Sequence, residues 1–143
     1  MKGYLDNPEG TREAFWDGEW FRSGDVGLFD DNGYLYIVDR LKDMIITGGE
    51  NVYSREVEEV LYTRPEVQEC AVIGLPDKEW GERVTAVIVP KSDETIDNEK
   101  LKSFLKSHLS PFKVPKQYII VDDLPRSPAG KILKRELKKE YSS

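Results

Sequence analysis

Residues 126–131 are the stretch of this sequence whose residue types are best suited to chemistry. They read Arg-Ser-Pro-Ala-Gly-Lys and stand directly before the basic segment ILKRELKK. A proline restricts the backbone and a glycine frees it, so together they shape a loop that ends on Lys131. A lysine ammonium is a compact point charge that can neutralise a carboxylate and a phosphate oxygen as they are brought together. The local sequence alone favours an ordinary exposed loop lysine.

The same stretch invites comparison with the Walker phosphate-binding loop. That loop needs a glycine five positions before its Gly-Lys pair and a serine or threonine after it, which binds magnesium. This sequence has Pro125 and Ile132 at those positions. A Walker loop is therefore excluded.

The other reactive side chains have structural explanations. Cys70 is the only cysteine and lies in the apolar run CAVIG, so we predict a buried, inert thiol. His108, the only histidine, falls at the end of an amphipathic segment and is interpreted as structural. No pair of histidines or cysteines has metal-ligand spacing, so we expect no metal site within the chain itself.

The sequence after residue 39 predicts a compact α+β unit. Residues 43–47 and 51–53 are predicted to form a short β-hairpin around Gly48-Gly49. Ser54 is predicted to cap the next helix, and Asp97 is predicted to start a second helix that ends before Pro111. Buried strands are predicted at CAVIG and VTAVIV, joined by the loop LPDKEWGE, and at YIIV, with a short helix at the end. The predicted fold is a three-stranded sheet flanked by helices, plus the hairpin.

Residues 1–38 have a different character. Turn signals such as Asn7-Pro8 separate short strand-like runs, WFRS and YLYIV. A segment of about 40 residues seldom folds alone. We therefore interpret it as the β-rich edge of a larger domain. It contains eight of the fifteen aromatic residues, namely Tyr4, Phe15, Trp16, Trp20, Phe21, Phe29, Tyr34 and Tyr36.

Composition and charge narrow the classes of function. With 143 residues, 38% of them hydrophobic, the chain can form one modest core and an accessory piece. The net charge of -6 argues against a general nucleic-acid binder, although the last residues are locally basic. No apolar run approaches the roughly 20 residues of a membrane span. The start MKGYLDNPEG lacks the apolar core of a signal peptide, so we expect a cytoplasmic protein.

Three separated stretches together resemble the last three core motifs of the adenylate-forming enzymes. They are FRSGD at residues 21–25, GYLYIVDRLKDMI running on to GGENVYSREVE within residues 33–58, and LPRSPAGK at residues 124–131. This superfamily includes acyl- and aryl-CoA synthetases, luciferases and the adenylation domains of peptide synthetases. The resemblance covers nearly the whole chain, in the same order and at the usual spacing. It implies that residues 1–38 are the final strip of the large adenylation domain and residues 39–143 the small C-terminal lid domain.

The resemblance also implies roles for individual residues of the first stretch and the middle one. Asp25 matches the aspartate that holds the ribose hydroxyls of ATP, and Arg40 matches an arginine that also reaches the nucleotide. Ile37 sits near the adenine in relatives. Asp39 matches the hinge about which the lid domain turns between the two half-reactions.

Two further roles concern the chemistry itself. Lys131 matches the lysine that stabilises charge during adenylation. Gly48 and Gly49 match the turn that lines the passage for the pantetheine of CoA, where the absence of a Cβ lets a ligand lie against the backbone. A tight hairpin turn explains the two glycines equally well. Luciferases carry a second functional lysine where this chain has Ile46, which makes a luciferase-like oxidation doubtful.

The reaction implied by the resemblance is a two-step ligation. A carboxylic acid, with a fatty acid favoured, attacks the α-phosphorus of Mg-ATP to give an acyl-adenylate and pyrophosphate. The thiol of CoA then displaces AMP to give the thioester. The sequence contains none of the large domain's phosphate loop, adenine platform or acyl pocket, so we expect the chain alone to be inactive and its first partner to be an adenylation domain.

Three interpretations of the function remain open. The chain is part of an AMP-forming acyl-CoA synthetase, a noncatalytic interaction module that docks through its aromatic strip, or a lid that works in trans with a separate adenylation domain. Because the partner surface of residues 1–38 is missing, we expect that segment to be poorly ordered or to self-associate.

Overall fold

A computed structural model describes residues 1–92 and 94–142 of the chain. The chain divides into two compact units, Met1–Lys42 and Asp43–Ser143. The boundary between them lies after Lys42, whereas the sequence changes character at residue 39. In the part of the chain that the structure describes, no helix is long and apolar enough to cross a membrane.

The first unit consists of one short helix and two small antiparallel sheets. Helix α1 spans Pro8–Ala14, strands β1 (Phe15–Trp16) and β2 (Trp20–Phe21) pair with each other, and β3 (Asp25–Phe29) pairs with β4 (Leu35–Arg40). The prediction of a turn at Asn7-Pro8 is wrong. The Asn7 side chain instead caps α1 by accepting from the Gly10 N–H at 2.8 Å, and proline occupies the first helical turn, where its missing N–H costs nothing.

The second unit is built on one five-stranded sheet. Its strands are β5 (Ile45–Thr47), β6 (Glu50–Val52), β7 (Val67–Asp77), β8 (Gly81–Pro90) and β9 (Gln117–Ile120). The order is β6-β5-β8-β7, and β9 pairs with β8 in parallel. The predicted hairpin is confirmed as β5 and β6, but it is not separate from the sheet, because Thr47 pairs with Gly81 of β8. Glu82 strengthens this junction by accepting from the Ile46 N–H at 2.7 Å.

Strands β7 and β8 are longer than the sequence suggested. They pair from Val67 opposite Pro90 to Asp77 opposite Gly81, with one irregularity in register between Val67 and Glu69. Most of the predicted loop LPDKEWGE therefore belongs to the strands. The remaining turn is organised by Asp77, whose carboxylate accepts from the backbone N–H groups of Glu79 and Trp80 at 3.0 Å each. The bond from the Trp80 N–H, and after it the bond from the Glu79 N–H, lowers the pKa of the Asp77 carboxyl.

In the described residues of this unit, three α-helices cover the faces of the sheet, and a short 3-10 helix spans Pro111–Lys113. The three α-helices are α2 (Ser54–Tyr62), α3 (Asn98–His108) and α4 (Lys134–Tyr141). The predicted start of α3 at Asp97 is confirmed to within one residue, because Asp97 is the cap of this helix. The bond that the Asp97 carboxylate accepts from the Lys100 N–H lowers the pKa of this carboxyl. The prediction that Ser54 caps α2 is wrong, because Tyr53 occupies the cap position and Ser54 is the first helical residue, fully buried.

Apolar side chains form one cluster on each face of the sheet. Successive residues of a strand point to opposite faces, so in β7 Val72 joins the cluster beneath α2 and α3, whereas Ala71 and Ile73 join the cluster beneath α4. Burial on both sides explains why this strand is a continuous apolar run. Cys70 is buried in the first cluster, as predicted, and burial raises the pKa of its thiol to about 12.

Candidate functional site

The loop that carries Lys131 is closed by its own backbone. The Ser127 N–H donates to the Lys131 carbonyl and the Gly130 N–H donates to the Ser127 carbonyl, both at 2.8 Å. The Ser127 hydroxyl in turn accepts from the Lys131 N–H at 3.2 Å. Gly130 has a φ of +78°, in the left-handed region that glycine adopts without strain. The loop is therefore a defined turn that aims the residue after Gly130.

A charged side chain anchors the same loop to the sheet. The guanidinium of Arg126 donates to the Gly130 carbonyl at 2.7 Å and forms an ion pair with Glu69 of β7. On the far side of the turn, the Leu133 N–H donates to the Pro125 carbonyl at 2.8 Å. The two ends of the loop are thus tied to each other, and its first residue is tied to β7.

The Lys131 side chain is exposed. Among the residues that the structure describes, its ammonium has no hydrogen-bond or ion-pair partner. A positive charge held on an ordered turn, and not neutralised within its own unit, is available to an anion that approaches from outside.

A second lysine, Lys134, lies in an environment of the opposite kind. Its ammonium donates to the Ser54 hydroxyl at 2.6 Å and pairs with Glu58 at 2.7 Å, and both charged side chains are largely buried. Glu58 also accepts from the Val72 N–H at 2.7 Å. The sequence pattern did not indicate this cluster, because Lys134 stands among other basic residues. Its only signal is helical spacing, which puts it on the same face of α4 as the buried Leu137.

The turn at Gly48-Gly49 is packed against Trp80. Both glycines have positive φ, +58° and +84° respectively. The Gly48 N–H donates to the Trp80 carbonyl at 2.8 Å, and a Cβ on Gly48 would lie 2.8 Å from Cε3 of the indole. Lys116 completes the group, with its ammonium 3.3 Å from the centre of the Trp80 ring. The sequence offered one signal for Trp80, a single aromatic residue within the polar stretch LPDKEWGE.

The nucleotide-binding candidates of the first unit lie on strands β3 and β4. Asp25 pairs with Arg40 across the two strands, with 2.7 Å between the Asp25 carboxylate and the Arg40 Nε. Asp39 is buried, and its carboxylate accepts from the Arg40 N–H at 2.8 Å. Ile37 is about half exposed. The strand register therefore brings Asp25 and Arg40 into direct contact.

The remaining candidates lie in the second unit. Lys131 stands between β9 and α4, whereas Gly48 and Gly49 stand between β5 and β6. Within residues 1–92 and 94–142, no group of three or more His, Cys, Asp or Glu side chains is close enough to hold a metal ion. His108 has its Nδ1 2.9 Å from the Phe104 carbonyl of its own helix.

Comparison with known proteins identifies the family. Residues 56–131, more than half of the chain, match the family model of the AMP-binding enzyme C-terminal domain. The chain belongs to this family.

The relatives are CoA ligases. The chain is 50% identical over 143 residues to the long-chain-fatty-acid–CoA ligase FadD13 of Mycobacterium tuberculosis. It is 51% identical over 141 residues to a feruloyl-CoA synthase of Amycolatopsis sp. These two matches cover 100% and 99% of this chain but only 28% of each ligase. The chain corresponds to the C-terminal part of the ligases.

A solved structure has a similar fold. The crystal structure of ATP-bound MatB from Rhodopseudomonas palustris is similar with a TM-score of 0.91 and 44% sequence identity. The match covers 99% of this chain and 28% of that one. The α+β architecture expected from the sequence is confirmed.

Proposed function

We propose that this chain acts as the C-terminal portion of an AMP-forming acid–thiol ligase. Such an enzyme activates a carboxylic acid with ATP as an acyl-adenylate and then transfers the acyl group to CoA. The family membership and the CoA ligase names of the relatives support the class of reaction. The observation that carries the proposal is the exposed ammonium of Lys131, held on an ordered turn and not neutralised within its own unit.

Lys131 is the proposed catalytic residue. In the adenylation step a carboxylate oxygen bonds to the α-phosphorus of ATP while the bond to pyrophosphate breaks, so anionic groups must be held together. A preorganised cation compensates that charge, and removing one such donor costs roughly a hundredfold or more in rate. The turn supplies part of that preorganisation, because its backbone hydrogen bonds fix the point from which the Lys131 side chain extends.

The proposed nucleotide contacts come from the first unit. A carboxylate can accept two hydroxyl protons at once, as Asp25 would from a ribose. Arg40 presents further donors beside it, since the two side chains already touch. Ile37 is sufficiently exposed to lie near an adenine. Asp39 would be the hinge. ATP would bring its own Mg²⁺.

The hairpin turn is proposed to line the passage for CoA. Gly48 and Gly49 leave the backbone uncovered, and nothing lies within 4 Å of the position where a Cβ of Gly49 would stand. A pantetheine chain is thin and amide-bearing, so it can run along such backbone. The same residues also make a tight turn, and the two roles are compatible.

The partners and location follow from the same proposal. Residues 1–38 would belong to the large adenylation domain and residues 39–143 to the lid, in a cytoplasmic enzyme. Five of the eight aromatic residues of the first segment are more than half exposed in this chain, namely Trp16, Trp20, Phe29, Tyr34 and Tyr36. Without the large domain, this strip would support self-association. The acid would be a fatty acid, the substrate class in the name of the FadD13 relative.

A chimera tests the proposal. This chain would replace the corresponding C-terminal 28% of the M. tuberculosis relative, and carboxylate-dependent release of pyrophosphate would be measured. We expect activity with Lys131, a loss on the order of a hundredfold with Lys131→Ala, and no change with Lys139→Ala, an exposed lysine of α4. An inactive chimera, or an active one indifferent to Lys131→Ala, would contradict the proposal. Adding the separate chain to the large domain tests the lid in trans.

A further inference from the structure

Lys134 is the buried counterpart of the exposed Lys131. It is the first residue of α4 and stands three positions after Lys131 in the chain. Its ammonium is shared between the Ser54 hydroxyl at 2.6 Å and the Glu58 carboxylate at 2.7 Å, and the charged side chains are 15% and 16% exposed. A lysine so placed is already neutralised and cannot serve an anion that arrives from outside.

The Glu58 carboxylate joins three elements. It belongs to α2, its Oε1 accepts from the Val72 N–H of β7 at 2.7 Å, and the same oxygen pairs with Lys134 of α4. Taking two charges out of water is expensive, and a buried ion pair often contributes no more to stability than apolar residues of the same size would. A buried pair that fixes a defined geometry therefore suggests a role in positioning.

The cluster lies directly after the turn that carries Lys131. That turn is anchored before Lys131 by Arg126, through its ion pair with Glu69 of β7. It is anchored after Lys131 by Lys134, through Glu58 and thus through Val72 of β7. Both ion pairs are connected to β7, so one strand supports the turn before and after Lys131.

We propose that Lys134 is a positioning residue for Lys131, acting through its buried bonds to Glu58 and Ser54. This inference rests on the proposed function in so far as Lys131 serves adenylation. Its structural content does not, because the order of the turn can be measured on this chain alone.

The first experiment measures backbone order by NMR relaxation on the purified chain. The main variant is the pair Glu58→Gln with Lys134→Met, which removes both charges and leaves an acceptor for the Val72 N–H. We expect the order parameters of the Gly130 and Lys131 amides to fall from about 0.85 to below about 0.6, and those of β7 and β8 to stay unchanged. Lys134→Arg, which keeps the charge and its donors, should retain the order. Lys139→Met on the exposed face of the same helix is the matched control.

Two results of this experiment would overturn the inference. One is a turn that stays as ordered in the double variant as in the parent chain. The other is a loss of order spread evenly through β7 and β8, which would mean that the pair supports the whole unit and does not position the turn.

The second experiment separates the two half-reactions in the chimera described above. The double variant should slow adenylation about tenfold at saturating ATP and leave the reaction of preformed acyl-adenylate with CoA unchanged. In the Lys131→Ala background it should have no further effect on adenylation, because the two changes act through one group. Equal loss in both half-reactions would contradict the inference. If the parent chimera itself fails to adenylate, the proposed function fails, and the relaxation measurement still decides the positioning role.

Discussion

The Gly48 N–H donates to the carbonyl of Trp80 at 2.8 Å, and a Cβ on Gly48 would lie 2.8 Å from Cε3 of the same residue. Trp80 therefore holds the hairpin turn in two ways, by a backbone hydrogen bond and by the packing of its indole ring against Gly48. Gly49, its neighbour in the turn, has open space where its Cβ would stand. The two glycines share a positive φ but differ in what surrounds them, which makes them a matched pair for mutation.

Gly48→Ala should destabilise the chain more than Gly49→Ala. Both variants place an alanine in the left-handed region, which costs about 1–2 kcal/mol. Only at position 48 does the new methyl group also meet the indole, which adds about 1 kcal/mol or more. Urea unfolding followed by far-UV circular dichroism measures the difference. Equal losses of unfolding free energy would mean that the Trp80 ring moves aside freely.

Two lysines three positions apart should respond in opposite ways to truncation. Lys131→Ala removes an exposed side chain and should change the unfolding free energy by less than about 0.5 kcal/mol. Lys134→Ala removes one buried partner of the Glu58 carboxylate and should cost about 3 kcal/mol. The two midpoints of urea unfolding test this directly. A large loss at Lys131 would show that its ammonium has a structural partner.

Local patterns predicted much of this fold. The Gly48-Gly49 hairpin follows from two residues suited to positive φ between β-prone runs, and α3 follows from the Asp97 cap and its apolar spacing. The apolar runs predicted β7 and β8, because a strand that is buried on both faces is a continuous apolar run and does not alternate between apolar and polar residues. Each of these signals lies within about a dozen residues of sequence.

Features that depend on distant partners were out of reach. Ser54 has the residue type and the sequence position of a helix cap. Its hydroxyl instead accepts a hydrogen bond from the ammonium of Lys134, which is 80 residues away along the chain. The hairpin joins the sheet through Thr47 opposite Gly81 and through the bond from Ile46 to Glu82. At Asn7-Pro8 the same two residues suit a turn and a helix start, and only the following residues decide.

The sheet should tolerate a lost methyl group differently at two paired positions. Ile88 and Ile120 face each other across β8 and β9, but Ile88 is fully buried whereas Ile120 is 45% exposed. Ile88→Val should cost about 1 kcal/mol, and Ile120→Val should cost clearly less. Thermal or urea unfolding of both variants provides the comparison. A greater loss at Ile120 would imply that this edge is covered in solution.

Stability should decline in alkaline solution, partly through Cys70. Burial, with the nearby charge of Glu58, raises the pKa of its thiol from an ordinary 9.0 to about 12. The unfolded chain therefore loses this proton first, so the stabilising effect is complete below pH 9 and is lost as pH rises toward 12. Between pH 7 and pH 10 the parent chain should lose about 1 kcal/mol more than Cys70→Ala. The unfolding free energy of the parent chain and of Cys70→Ala would be measured against pH. Equal declines in the two proteins would contradict the burial of the thiol.

The chain by itself should bind ATP weakly. The proposed contacts from Asp25, Arg40 and Ile37 are a small part of what a nucleotide needs, and all come from one pair of strands. We expect a dissociation constant on the order of 1 mM or weaker, which corresponds to about 4 kcal/mol of binding free energy. Titration calorimetry at moderate salt measures it. Micromolar affinity would mean that this chain holds a complete nucleotide site.

Strand β7 presents alternate side chains to two cores and also receives both ion-paired anchors of the Lys131 turn. A slip of one residue in its pairing with β8 would exchange the two faces and would move the two anchor points together. The alignment of one strand thus governs folding and the aim of a surface charge at once. Selection for a well-packed interior would then preserve that aim as a by-product.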